Sequence, residues 1–149
     1  MKTRVNLYIE SSIHGPVVKT GGYGYVIEFK KHNGIPVTRE GFGSQDNSTE
    51  NRLILAAFCE ACSRLTKPCS IQVFTSCRHI RNAYENKWMD KWEKNSWENA
   101  KGAPVKNVDL WKKATYISRE HDLSFLPENS GNPFKEWLLG EIWRFLERP

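Results

Sequence analysis

"NSTENRLILAAFCEACSRLTKPCSIQVFT", residues 47–75, decides the fold. Apolar residues at 53, 54, 57, 58, 61, 62 and 65 recur with the 3.6-residue period of a helix that buries one face. Ser48 or Thr49 stands where an N-cap belongs. The run SIQVFT at 70–75 is short, apolar and β-rich, and reads as a buried strand. A helix of this length can carry the chain across a sheet. The strand at 70–75 is therefore predicted to lie parallel to an earlier strand, joined to it by the helical crossover.

Upstream, VNLYIES at 5–11 alternates and supplies that earlier strand. GGYGYVIEFK at 21–30 and GIPVTREGFG at 34–43 read as two more, separated by a His-Asn-Gly turn, in an antiparallel meander. Alternation puts Val5, Leu7 and Ile9 on one face of the first strand and Asn6, Tyr8 and Glu10 on the other, where Glu10 reads as a solvated edge acid.

Downstream, 78–86, 87–97 and 108–120 read as helices, with the basic loop KGAPVKN at 101–107 between the last two. DLSFLP at 122–127 is a last short strand. Asn132 caps a final helix, and Pro133 suits its first turn. Phe134, Trp137, Leu138, Ile142, Phe145 and Leu146 form that helix's stripe, with Glu141 as an acidic exception. The order is an α/β arrangement, a mixed five-stranded sheet flanked by helices, with residues 1–149 as a single domain.

Composition agrees with a packed domain. Of the 149 residues, 39% are hydrophobic, enough for a core without metal or disulfide staples. No apolar run approaches the roughly 18 residues of a membrane span. The opening MKTRVNLYIESS lacks the apolar segment of a secretory signal, so a cytoplasmic protein with reduced cysteines is expected. Cys59 and Cys62 have CxxC spacing but lie mid-helix with no second pair, which argues against zinc. The net charge of +5 allows a polyanionic partner. Ser76 and Cys77 end the strand at 70–75, but no His–acid pair is visible to make either a nucleophile.

Three strings carry a resemblance. "NSTENRL" is similar to the Thr-x-Asn-Arg opening of the first helix in bacterial-type ribonuclease H. "KWMDKWEKNSWENAKGAPVKNVDLW", residues 87–111, resembles that family's Trp- and Lys-rich basic protrusion and the Pro-Val-Lys-Asn-x-Asp-Leu-Trp string after it. "LPENSGNPFKE" resembles the Gly-His-Ser-Gly-Asn loop that leads into its last helix. The resemblance implies a ribonuclease H-like fold over essentially the whole chain. It also implies an activity, cleavage of the RNA strand of an RNA–DNA hybrid by four carboxylates holding two divalent metals about 4 Å apart.

Matched residue by residue, two of the four acids are replaced. The first matches Glu10, one methylene longer than the family's Asp, and the fourth matches Glu136. The second matches Ile54, the third Ser76, and the mobile-loop His matches Asn129. Glu10 and Glu136 are the metal ligands that remain, with Glu50 and Glu128 as candidate substitutes. The cofactor is then Mg²⁺ or Mn²⁺ at a weakened site, or none.

The protrusion implies nucleic-acid contacts from Lys87, Trp88, Lys91, Trp92, Lys94, Lys101 and Lys106, with Trp97 and Trp111 packed beneath. Asn51 matches a minor-groove contact, and Arg52 reads as a brace for the sheet. Three readings follow. The first is a binder of RNA–DNA hybrid or duplex RNA with little or no cleavage. The second is an active ribonuclease H with a rearranged metal site. The third is a protein-interaction module that keeps only the fold.

Overall fold

The computed structural model describes residues 2–127 and 130–148. The elements follow in the order β1 (Thr3–Ser11), β2 (Lys19–Lys30), β3 (Pro36–Ser48), α1 (Glu50–Ser63), β4 (Cys69–Thr75), α2 (Arg78–Glu85), α3 (Trp88–Lys94), α4 (Val108–Glu120), β5 (Asp122–Phe125) and α5 (Lys135–Glu147). The sheet order is β3-β2-β1-β4-β5, with β1 antiparallel to β2, β2 to β3, and β4 parallel to both β1 and β5. This is the mixed five-stranded sheet expected from the order of elements along the chain, and the β1–α1–β4 crossover expected from residues 47–75 is its centre.

β1 occupies the middle of the sheet, and both of its faces are covered. Val5, Leu7 and Ile9 join the main core with α1, α2 and α4. Tyr8 lies on the opposite face, in a second cluster with Val26 and Leu138 of α5. Glu10, on the α5 side, is only 1% exposed. The expectation of a solvated edge acid is therefore wrong. An antiparallel neighbour on one side and a parallel one on the other leave β1 no edge.

Three boundaries move for identifiable reasons. β3 runs on to Ser48 because its pairing with β2 continues, past an irregularity between Lys19 and Gly21, as far as the Lys19–Ser48 pair. Thr49, not Ser48, caps α1, its hydroxyl accepting from Arg52 N at 3.2 Å. α5 starts at Lys135, later than the Asn-Pro pair suggested. The Asn132 Oδ1 accepts from Phe134 N at 2.9 Å and closes a turn just before the helix.

Arg52 also departs from expectation. It grips both carboxylate oxygens of Asp109, at 3.0 and 2.8 Å, and reaches the Asn107 Oδ1 at 3.3 Å. The fork braces α1 against the start of α4, not against the sheet.

Candidate functional site

Glu10 lies one residue from the end of β1, and Ser76 directly follows β4. Parallel β1 and β4 end side by side, so the two meet. The Glu10 Oε2 accepts from Ser76 Oγ at 3.3 Å and from Asn132 Nδ2 at 3.0 Å. A small cleft of about 110 Å³ opens here, lined by Glu10, Phe74, Thr75, Ser76, Asn132 and Lys135 among others. Burial pushes the Glu10 carboxyl above its ordinary value. The Asn132 and Ser76 donors, then the charges of Lys135 and His14, pull it back.

The other acid positions do not converge on Glu10. Ile54 is 2% exposed and belongs to the main core. Glu136 is exposed in the first turn of α5 and does not line the cleft, whereas the preceding Lys135 does. Glu50, half-buried at the start of α1, faces His14 at 3.6 Å. Glu128 and Asn129 lie outside the described residues.

The donor set of the described residues does not fit a pair of divalent metals. Mg²⁺ and Mn²⁺ require several hard oxygen ligands. Among the described residues one carboxylate, Glu10, lines the cleft, and its Oε2 already accepts two hydrogen bonds. Ser76 is spent as a donor to it, and the Lys135 ammonium repels a second cation. Among the described residues, no group of three or more His, Cys, Asp or Glu side chains is placed to hold a metal.

Cys77, beside Ser76, is buried. Its Sγ donates to the Asn51 Oδ1 at 3.4 Å, and burial raises its thiol above the usual range. It is a packed thiol rather than a poised thiolate. The same bond uses an acceptor of Asn51, one of the proposed nucleic-acid contacts.

The basic element is a separate surface. Lys87, Lys91 and Lys94 are exposed on and before α3, and Lys101 and Lys106 are exposed between α3 and α4. The tryptophans are not free with them. Trp88 and Trp92 are half-buried against the main core. Trp92 stands edge-on to the buried Trp111 at 5.2 Å and lies 6.5 Å from Trp97. His79 of α2 meets both Trp88 and Trp111 edge-on, and burial lowers its imidazole pKa. The indoles cement α3 to α2 and α4 while the lysines point outward. A larger cleft of about 1040 Å³ lies between α1 and α4 and shares no residue with the Glu10 cleft.

The partners that the sequence reading missed are Asn132, Lys135 and His14. Asn132 carries a strong local signal as a turn or cap residue, and that signal hides its second role. Lys135 has no periodic signature. Its place emerges only when α5 is laid across the end of β1.

Comparison with known proteins gives a consistent picture. The RNase H family model matches residues 2–126, which excludes α5. A ribonuclease H of Lachnoclostridium phytofermentans is 32% identical over 135 residues, covering 89% of this chain and 85% of that one. Among solved structures, LC9-RNase H1, described as a type 1 RNase H with the type 2 active-site motif, superposes with a TM-score of 0.78 at 21% identity. It covers 97% of this chain and 72% of its own. The foamy viral protease-reverse transcriptase in complex with RNA/DNA hybrid has a TM-score of 0.63 at 15% identity, covering 95% of this chain and 19% of that one.

Proposed function

Since the chain belongs to the ribonuclease H family, we propose that it binds RNA–DNA hybrid in the cytoplasm without cutting it effectively. One observation carries this reading. Among the described residues Glu10 is the one carboxylate that lines the cleft, held by Ser76 and Asn132 and joined by Lys135, and this donor set supplies neither the ligands nor the charge for two metals. Binding is supported separately by the exposed lysines around α3, which suit a phosphate backbone. The foamy viral protease-reverse transcriptase, part of which has this fold, is in complex with RNA/DNA hybrid, which is in keeping with the reading.

The test is a titration of labelled RNA–DNA hybrid and of duplex RNA, with Mg²⁺ and then Mn²⁺, scoring binding and cleavage together. Hybrid binding without cleavage is expected. Cleavage abolished by Glu10→Ala would instead establish an active, rearranged site. Absence of binding would move the function to a protein partner. Lys91→Glu with Lys94→Glu is expected to weaken hybrid binding by an order of magnitude or more at about 0.1 M salt. The same pair should flatten the salt dependence by about 0.9 for each phosphate that is no longer neutralised.

A further inference from the structure

A buried carboxylate with no metal to hold is costly unless it does something else. Glu10 lies on the α5 face of the sheet and ties three elements at one point. It belongs to β1, Ser76 follows β4, and Asn132 belongs to the turn that starts α5. The Asn132 side chain works in both directions. Its Nδ2 donates to Glu10, and its Oδ1 accepts from Phe134 N. The turn is therefore tied to the sheet, and Lys135, which directly follows Phe134, is brought to the cleft. Lys135 is exposed and forms no ion pair among the described residues.

We propose that Lys135, positioned by Glu10 through Asn132, is a phosphate-binding residue: its ammonium takes one backbone phosphate of the bound hybrid at the cleft. This rests on the hybrid-binding reading above and adds how the backbone is held at this end of the sheet. The physical logic is charge. A phosphate brought beside the Glu10 carboxylate is repelled unless a cation stands between them. Lys135 lines the same cleft as Glu10 and supplies that cation as a compact point charge. The cleft, with space for about three or four waters, admits a group of that size and little more. An ammonium carries half the charge of a divalent ion and cannot activate a water. A cleft whose cation is this ammonium therefore favours holding the strand over cutting it.

The experiment is a thermodynamic cycle between lysine and phosphate, run in EDTA and in Mg²⁺ on the full chain. Hybrids carrying one neutral methylphosphonate at successive positions are titrated against the unmodified protein, Lys135→Gln, and Lys91→Gln/Lys94→Gln. Melting curves confirm that each variant is folded. At about 0.1 M salt, Lys135→Gln is expected to weaken hybrid binding about five- to tenfold and to lower the salt slope by about 0.9. One methylphosphonate position should cost the unmodified protein a similar factor and cost Lys135→Gln nothing further. EDTA should change neither result by more than about twofold. If Lys135→Gln binds like the unmodified protein while the α3 pair weakens binding, the assignment of Lys135 falls and the binding function stands. If every methylphosphonate costs both proteins equally, the assignment also falls. If the unmodified protein does not bind hybrid at all, both fall together.

Discussion

Glu10 is an acid buried near the end of the central strand, and that burial governs how it titrates. Its carboxyl pKa lies above the ordinary glutamate value, so the folded state holds the proton more tightly than the unfolded chain does. The stability this gives is complete below the ordinary value and is lost as pH rises through the folded-state pKa. Glu10→Gln keeps an oxygen for Ser76 and Asn132 and removes the titration. The variant should melt higher than the unmodified protein at pH 7 and lose that advantage towards pH 4, as read by thermal melts across the range. Glu10→Ala takes the acceptor from two donors and should cost about 2–4 kcal/mol in urea unfolding. An unchanged pH profile in Glu10→Gln would show that the carboxylate is not the desolvated group described here. In the sequence, the identity of position 10 is plain, but its burial is not. Alternation assigns a face, and only the sheet order makes that face an interior one.

At the scale of elements, two joints carry the packing between layers and strands. Arg52 and Asp109 clamp α1 to α4, and the guanidinium holds the Asp109 carboxyl down at about 2. The sign is opposite to that of Glu10. This stability is present above the ordinary aspartate pKa and is lost as pH falls below it towards about 2. Because the pair is substantially exposed, Asp109→Asn should cost only about 1 kcal/mol at pH 7 and nothing at pH 2, in urea titrations at the two values.

The second joint is between β2 and β3, where Tyr25 faces Gly41 and Tyr23 faces Gly43. A Cβ at either glycine would overlap the hydroxyl end of the opposing phenol ring. The rings lie across the space that the missing side chains leave, and Tyr25 is 1% exposed. Gly41→Ala should destabilise by about 1–3 kcal/mol, because the buried ring must move. Equilibrium unfolding with tyrosine fluorescence would reveal it, and a neutral result would mean that β3 shifts freely. The periodicity of α1 and the apolar run of β4 make these elements legible. The partner of Arg52 is not, because Asp109 stands 57 residues away with no local pattern to announce it.

For the whole molecule, the β1–α1–β4 crossover could be read from residues 47–75 and the meander from the alternating segments before them, because amphipathic period and connection length allow few topologies. The site is less legible: position 10 carries a visible acid, while the contacts of Asn132 and Lys135 around it depend on where α5 lands. Millimolar Mg²⁺ should therefore raise the melting temperature of the free protein by less than about 1 °C, since a ligand stabilises only what it binds. A rise of several degrees would point to a metal site built from other residues.

The packed indoles have one more consequence, an optical one. Trp88, Trp92, Trp97 and Trp111 form a chain of ring contacts between 5.2 and 6.5 Å, touched by His79. Emission and near-ultraviolet dichroism from such a cluster report its geometry, so the basic arm carries a built-in gauge of its own seating. Detachment of α3 from α2 and α4 would be visible without any dye.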